Sequence, residues 1–261
     1  MNRAERLNSV LAMLARGGQV DVADIVAELD VSPATARRDL DTLAEQQLLT
    51  RTHGGAVGQS VAYDLPLRYK HQQHAEEKQQ IARAASALVP RGAVVGLCGG
   101  TTSTAIANEL GLRADLLEAS PEPNLTVVTN AINIAAQLAM RPQIKTVVTG
   151  GVLHSRSYEL VGNYADAVLG RITLDLAFIG VNAIDPVLGP TTHDEREASV
   201  NRLIASRAVR AVIVADSSKI GKKAFATMGD SRLFGTLITD SGITPEQRAE
   251  LNEHGYEVII A

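Results

Sequence analysis

The run Gly99-Gly100-Thr101-Thr102 has the residue types of an anion-binding turn. It follows the apolar run Ala93–Leu97 and opens a stretch with helical spacing, so a strand-to-helix turn is predicted there. Glycines let a ligand approach the backbone closely, and the N–H groups at a helix N-terminus favour negative charge. The run therefore predicts binding of an anion such as a sugar phosphate. A structural turn capped by threonine is the alternative that the spacing leaves open.

The same stretch lacks the motifs of the common nucleotide sites. It has neither the GxGxxG of a dinucleotide fold nor the GK[ST] of a P-loop, so we expect neither ligand there. Small or polar residues also follow other apolar runs, and ligands of open α/β sheets bind beyond the carboxyl ends of the strands. These clusters are Thr129-Asn130, Gly150-Gly151, Gly180-Val181-Asn182 and Asp216-Ser217-Ser218-Lys219. Their recurrence predicts one pocket along that edge.

Charged residues near these clusters have two interpretations each. Lys219 either pairs with a phosphate as a point charge or is a solvated surface lysine. Glu197, with Asp194 and Glu195, either hydrogen-bonds sugar hydroxyls or favours the N-terminus of the helix that begins there. The predicted effector-binding set is Gly99, Gly100, Thr101, Thr102, Thr129, Asn130, Gly150, Gly151, Asn182, Glu197 and Lys219.

A second constellation, residues 31–57, has the residue types for reading DNA. Ser32 is a favourable helix N-cap, and Pro33 suits the first helical position. On a helical wheel three apolar residues share one face, namely Ala36, Leu40 and Leu43. The opposite face carries Thr35, Arg38 and Thr42, with Arg37 on the flank. The alternative is that these arginines are merely solvated, with Arg37 paired to Asp41.

The pattern then changes to that of a small hairpin. Leu48–Thr52 predicts a strand, His53-Gly54-Gly55 a turn and Ala56-Val57 a returning strand. A helix with a polar outer face followed by a basic hairpin is typical of a winged helix-turn-helix, which predicts sequence-specific binding of double-stranded DNA. The predicted DNA-binding set is Ser32, Thr35, Arg37, Arg38, Thr42, Arg51, His53, Gly54 and Gly55.

Two helices precede this constellation and would position it. Apolar residues recur at helical spacing in Arg3–Arg16, and Asp21 caps a helix with Ile25, Val26 and Leu29 as its predicted buried face. After Val57 the periodicity is lost until about His71, where another helix is predicted. The predicted domains are a winged helix-turn-helix at 1–57, a linker at 58–70 and an α/β effector domain at 71–261.

In the second domain apolar runs alternate with helical stretches, which predicts a mainly parallel sheet covered on both faces. The predicted strands are Ala93–Leu97, Leu125–Thr129, Lys145–Thr149, Leu174–Ile179, Ala211–Ala215, Gly235–Thr239 and Glu257–Ile260. The predicted helices between them lie near Thr102–Leu110, Ala131–Ala139, Tyr164–Leu169, Glu195–Ser206 and Pro245–His254. Asp115–Asn124 is predicted as a surface loop.

The composition excludes several classes of protein. Aromatic residues make up 3% of the 261 residues and Trp is absent, which disfavours recognition of single strands by base stacking. The single cysteine, Cys98, excludes a disulfide framework and is interpreted as a small buried residue, and no Cys/His cluster has zinc spacing. His193 beside Asp194 has the type of a general base, yet no nucleophile accompanies it. With no signal peptide or membrane-length run, we expect a cytoplasmic protein without cofactor, metal or membrane partner.

The net charge does not indicate a nucleic-acid partner. The net charge is −4, and residues 1–57 contain six Arg against eight Asp and Glu. A basic footprint is the usual expectation for such a partner. Any DNA interface must therefore depend on a few well-placed arginines.

The head resembles the N-terminal domain of the DeoR family of bacterial transcriptional regulators. The resemblance rests on Val31-Ser32, Thr35–Leu40, Leu43 and Leu49–Ala56, and in the second domain on Glu77-Lys78, Gly100–Thr102, Thr129-Asn130, Gly150-Gly151, Phe178–Asn182, Glu197-Ala198 and Asp216–Lys219. It implies an α+β winged helix-turn-helix followed by an α/β domain similar to the ribose-5-phosphate isomerase and glucosamine-6-phosphate deaminase folds. Family members generally repress sugar-catabolic operons and release DNA when a phosphorylated sugar binds.

The resulting hypothesis is a homo-oligomeric repressor (dimer or tetramer) with double-stranded operator DNA and a phosphorylated sugar as its partners. A sugar-phosphate isomerase or deaminase with an accessory DNA-binding head is the competing class. Against it, residues 180–185 contain a single carboxylate, Asp185, where isomerases of this fold have a carboxylate-rich loop. An activator built from the same parts is a third possibility.

Overall fold

The chain divides into two units, Met1–Leu65 and Pro66–Ala261. The structure is a computed structural model that describes residues 1–46, 48–58, 67–70 and 73–261. Most of the predicted linker, residues 59–66, and the start of the helix predicted from His71 lie outside the described residues. No helix in the described ranges is long and apolar enough to cross a bilayer.

The first unit has the elements of a winged helix-turn-helix. Its helices are α1 (Arg3–Gly17), α2 (Val22–Leu29) and α3 (Pro33–Glu45), and its strands are β1 (Gln19–Asp21), β2 (Thr50–Arg51) and β3 (Gly55–Val57). Side-chain caps begin all three helices, from Asn2, Asp21 and Ser32. Among the described residues, the three strands form an antiparallel sheet in the order β1-β3-β2.

Burial explains how α3 is held. Ala36, Leu40 and Leu43 are fully buried, as their spacing predicts, and each large apolar side chain of this kind contributes about 1.5–3 kcal/mol. Of the predicted inward face of α2, Ile25 is fully buried while Val26 and Leu29 are half-buried. The helical wheel did not predict that Asp39 is also buried. It accepts two hydrogen bonds from Arg6 of α1, which ties α3 to α1.

The second unit is built on a parallel sheet. Seven of the strands in the described residues form it, in the order β15-β14-β12-β9-β4-β5-β6, and every neighbouring pair is parallel. These strands are β4 (Val94–Leu97), β5 (Leu125–Thr129), β6 (Ile144–Val148), β9 (Leu174–Gly180), β12 (Ala208–Val214), β14 (Thr236–Thr239) and β15 (Glu257–Ile260). The predicted parallel sheet is confirmed, with strand ends displaced by at most a few residues.

Helices cover both faces of the sheet. They are α4 (Leu67–Lys70), α5 (Ala75–Ala87), α6 (Thr101–Leu110), α7 (Ala114–Leu117), α8 (Ile132–Leu138), α9 (Tyr164–Leu169), α10 (Glu195–Ser206) and α11 (Pro245–Glu253), with a 3-10 turn at Ser217–Lys219. One core packs α5, α6 and α8 against the sheet around Phe178. The other packs α9 and α10 around Ile179 and Phe234.

Short elements depart from the predictions. Leu67–Lys70, predicted as linker, is helical and belongs to the second unit, where Leu67 is buried and its N–H donates to the carbonyl of Arg156. Within the predicted loop 115–124, α7 forms because Leu116 is buried. Five small antiparallel strands were not predicted because each has too few residues to show alternation: β7 (Val152–His154), β8 (Glu159–Val161), β10 (Ala183–Asp185), β11 (Gly189–Thr192) and β13 (Ala226–Thr227).

Candidate functional site

The outer face of α3 carries polar groups that the helix start fixes in place. The Ser32 hydroxyl accepts the backbone N–H of Thr35 at 3.2 Å and lies 2.9 Å from the Thr35 hydroxyl. Arg37 and Arg38 are exposed, and neither forms an ion pair with any residue that the structure describes. Both guanidinium groups can therefore donate to acceptors outside the protein.

Arg3 joins this face from a different helix. Its guanidinium donates to the Thr42 hydroxyl at 3.1 Å, and that hydroxyl donates to the carbonyl of Arg38 at 2.8 Å. Arg3 is exposed and, within the described part of the chain, has no carboxylate partner. Arg3 was not among the predicted DNA-binding residues, because a helical wheel of α3 does not show which side chains of α1 pack beside it.

The wing is attached to α3 by Arg51. Its guanidinium pairs with Asp41 at 2.9 Å and also donates to the carbonyl of Gly55. The alternative pairing of Arg37 with Asp41 is therefore wrong, because Arg51 takes that carboxylate. His53 and Gly54 are exposed at the tip of the wing.

The prediction that Gly55 belongs to the exposed turn is also wrong. Gly55 is buried in β3, paired with Asp21 of β1. A Cβ at this position would lie 2.0 Å from the carbonyl oxygen of Val20. Gly55 therefore permits close approach of two strands, and the exposed tip of the wing consists of its neighbours.

The ion pairs of the first unit show which of its arginines keep an unpaired positive charge. Three of its arginines are paired, namely Arg6 with Asp39, Arg16 with Glu28 and Arg51 with Asp41. The other three are Arg3, Arg37 and Arg38. Positive charge without an internal partner, as far as the structure describes the unit, is thus concentrated on and beside α3.

In the second unit, the turn Gly99–Thr102 is built as its sequence suggests. Gly100 has φ +104°, a conformation that favours glycine, and it is the N-cap of α6. The Thr104 hydroxyl donates to the Gly100 carbonyl at 2.8 Å, while Thr102 is buried and Thr101 half-buried. Because β5, β4, β9 and β12 are adjacent, the clusters after them lie in one row.

A pair of lysines stands at the β12 end of this row. Lys219 donates to the carbonyl of Val181 at 2.6 Å and lies 4.0 Å from Asp216. Lys78, in the first turns of α5, is buried and donates to the carbonyls of Lys70 and Gln73. Burial first, and then the charge of Lys219, lower the pKa of Lys78 to about 8. Lys78 was not among the predicted site residues, although it stands three residues before buried Ile81.

The opposite, β5 end of the row is acidic. Glu159 of β8 is only 4% exposed, and its carboxylate accepts from the Asn130 side-chain amide at 3.0 Å, from Asn201 and from the Gly99 N–H. Burial and then the charge of Glu197 raise the pKa of Glu159 to about 8. A Cβ at Gly99 would lie 2.4 Å from the Cγ of Glu159. Glu159 was not among the predicted site residues, because its three-residue strand is too short to show an alternating pattern.

Glu197 links α10 to the β7–β8 hairpin. Its Oε1 lies 2.7 Å from His154 Nδ1, and this hydrogen bond is the main reason that the pKa of His154 is raised. Its Oε2 lies 3.3 Å from the Thr192 hydroxyl, which donates to Asn182 Oδ1 at 2.6 Å. The predicted residues Asn182 and Glu197 therefore belong to one hydrogen-bonded chain.

Several predicted residues have structural tasks in this row. The Thr129 hydroxyl accepts the N–H of Ala131, and Gly150 and Gly151 have positive φ where β6 leads into β7. A Cβ at Gly151 would lie 2.8 Å from the Val161 carbonyl, so the hairpin needs glycine there. The row brings Gly99, Asn130 and Glu159 together, while the two glycines lie at the base of the hairpin.

The interpretation of Cys98 as a small buried residue is confirmed. Cys98 is fully buried, and desolvation raises the pKa of its thiol to about 12, so it is not a nucleophile at neutral pH. Asp194 caps α10 by accepting the N–H groups of Arg196 and Glu197, and hydrogen bonding from the Arg196 side chain lowers its pKa to about 2.

Comparisons with known proteins agree with both units. Residues 6–60 match the family model of the DeoR-like helix-turn-helix domain, and residues 73–241 match that of the DeoR C terminal sensor domain. The glycerol-3-phosphate regulon repressor of Escherichia coli (strain K12) is 31% identical over 241 residues, 92% of each chain. The lactose phosphotransferase system repressor of Lactococcus lactis subsp. lactis is 31% identical over 258 residues, 97% of each chain. A D-ribose-5-phosphate isomerase in complex with phospho-erythronic acid aligns with TM-score 0.41 and 20% identity, covering 56% of this chain and 53% of that one.

A capped helix with exposed arginines, a wing and an α/β sensor unit define a DNA-binding transcriptional regulator. The chain belongs to the DeoR family of these regulators. The family and fold class predicted from the sequence are confirmed. The competing class, an enzyme with an accessory head, is wrong, because the similar full-length proteins are named repressors.

Proposed function

We propose that the protein represses an operon of sugar or carbohydrate catabolism and leaves its operator when a phosphorylated sugar binds. The observation that carries the DNA-binding part is the pair of exposed arginines on α3, Arg37 and Arg38, which no described carboxylate neutralises. In this proposal Ser32, Thr35 and Arg38 contact bases and nearby phosphates, while Arg37, Thr42 and the wing hold the DNA backbone.

The effector part of the proposal is supported by the row of strand ends in the second unit. The turn 99–102 offers helix N-terminal N–H groups, and Lys78 and Lys219 supply positive charge at the β12 end of the same row. Burial of the Lys78 ammonium costs free energy, and a bound phosphate would offset that cost through its negative charge. Relatives named for a glycerol-3-phosphate regulon and a lactose phosphotransferase system are consistent with this ligand class.

Oligomerisation and cellular location are part of the same proposal. A single winged helix makes few base contacts, so two or more copies on repeated half-sites are expected, acting in the cytoplasm where the DNA is. The proposed division keeps a DNA-binding domain at 1–57 and an effector domain that starts near the helix at Leu67–Lys70.

Selection of bound duplexes from a random pool, followed by release with ligands, tests the proposal. We expect one enriched sequence, bound by the full chain and released by at least one sugar phosphate but not by its unphosphorylated sugar. Absence of an enriched sequence would contradict the DNA-binding part. Equal release by unphosphorylated sugars would contradict the effector part.

A further inference from the structure

We propose that Glu159 selects an effector that carries an amino group as well as a phosphate, that is, a phosphorylated amino sugar. This inference rests on the proposed function, because Glu159 lies against the turn that the effector is proposed to contact.

The lysines and Glu159 follow different strands of the row. Lys78 and Lys219 lie at the β12 side, while Glu159 contacts Asn130, which follows β5, and Gly99, which follows β4. Four adjacent strands at about 4.8 Å spacing make this row about 14 Å wide, which is enough for a phosphorylated sugar. A phosphate bound at the lysine end would place the rest of the sugar toward Glu159.

Glu159 is fixed at this position. Asn130, Asn201 and the Gly99 N–H all donate to its carboxylate, and its side chain fills the space that a Cβ at residue 99 would need. The carboxylate therefore abuts the turn that the effector is proposed to contact. Glycine at position 99 is what allows this approach.

The acidic end offers acceptors that lack donors. Asn130 is fully buried, its Nδ2 donates to Glu159, and its Oδ1 finds no hydrogen-bond donor among the described residues. Glu197 has His154 as its partner, whereas Glu159 has no cation among its described partners. A buried carboxylate beside an unsatisfied carbonyl oxygen is completed by a group that only donates.

An ammonium group meets that requirement because it has three donors, no acceptor and a positive charge. A hydroxyl would satisfy one acceptor without stabilising the ionised form of Glu159. The raised pKa of Glu159 is consistent with a missing cation, since a bound ammonium would favour the ionised carboxylate. Charge-assisted hydrogen bonds are about twice as strong as neutral ones, so the amine should increase affinity at least about tenfold.

Calorimetric titration of the full chain with matched ligands tests the proposal. The ligands are glucosamine 6-phosphate and galactosamine 6-phosphate, each with its non-amino parent and its N-acetylated form. We expect the two amines to bind at least about tenfold more tightly than both controls, because acetylation removes the charge. In Glu159→Gln the ratio of affinities between each amine and its non-amino parent should fall to about one. Glu253→Gln, an exposed change at the end of α11, should leave all affinities unchanged.

The outcomes separate this inference from the proposed function. Parent or N-acetylated phosphates that bind as tightly as the amines would overturn the amine selection and leave the phosphate site intact. A preference for amines that persists in Glu159→Gln would overturn the role of Glu159. If no phosphorylated sugar binds at all, both the effector proposal and this inference fail. The comparison of ligands needs only the wild-type chain, so it holds even if the variant does not fold.

Discussion

The two units use charged side chains in opposite ways. In the first unit, carboxylates pair with arginines that hold its parts together, as Asp39 does with Arg6 and Asp41 with Arg51. In the second, Lys78 and Glu159 are buried at the edge of the sheet, and their pKa values are shifted toward the neutral forms. The first unit leaves positive charge for a partner outside. The second retains buried charges that a ligand could compensate.

This difference shows where stability and function compete. The ion pair between Arg6 and Asp39 fixes the orientation of α3. It removes no group from the proposed DNA interface, because neither side chain lies on the outer face of α3. Burial of Lys78 and Glu159 works against folding, because desolvation penalises both charged forms. Such residues are expected where binding, rather than folding, needs them.

The largest expected effect comes from breaking the structural pair of the first unit. Asp39→Ala leaves Arg6 in a half-buried place without its carboxylate, and removing one partner of a buried pair costs about 3 kcal/mol. Urea unfolding of the full chain should show an early transition. Glu45→Ala, an exposed change at the end of α3, serves as a control. Equal stability of Asp39→Ala and wild type would show that the pair does not hold α3.

The next effect concerns the arginines that remain for DNA. Arg38→Ala should weaken binding to the selected duplex by about 10- to 100-fold, because a base or phosphate contact is lost without a change in the core. Fluorescence anisotropy measures the affinity, and circular dichroism checks the fold. Arg16→Ala removes an arginine that is paired with Glu28 instead, and it should bind nearly normally. Normal affinity of Arg38→Ala would contradict the proposed interface.

In the second unit, the pKa of Glu159 predicts a pH-dependent stability. Its folded value of about 8 exceeds the ordinary 4.5, so the folded state binds more protons between these values. The contribution of Glu159 is therefore greatest below about pH 4.5 and is lost as the pH rises through about 8, by at most ~1.4 kcal/mol per pH unit. Glu159→Gln should gain stability relative to wild type between about pH 5.5 and 8. Thermal melts of both proteins at about pH 5.5 and about pH 8 would show this gain. A difference in melting temperature between the two proteins that does not change with pH would contradict the raised pKa of Glu159.

The smallest expected effect belongs to Arg3. If its guanidinium reaches a phosphate beside Thr42, Arg3→Gln should weaken binding to any duplex and lower the slope of log affinity against log salt by about 1 per contact. Arg16→Gln is the matched control at the other end of α1. An unchanged salt slope in Arg3→Gln would confine the interface to α3 and the wing.

Local signals in the sequence were sufficient for much of the fold. Caps such as Ser32, the buried face around Leu40 and the apolar strands of the sheet depend on neighbours within a few residues. Contacts between distant segments were not predictable this way. The contacts of Arg3 with Thr42 and of Glu159 with Gly99 depend on packing between distant segments, which the spacing of apolar residues does not predict. Three-residue strands such as β8 are too short to show an alternating pattern.

In the proposed function, binding of a sugar phosphate to the second unit releases the chain from DNA. The most direct test measures dissociation of the full chain from its selected duplex during titration with sugar phosphates, for wild type and Lys219→Met. We predict that at least one sugar phosphate releases wild type and that Lys219→Met stays bound at the same concentrations, with unchanged affinity for the duplex alone. Release of both proteins at equal concentrations, or of neither, would contradict coupling through Lys219.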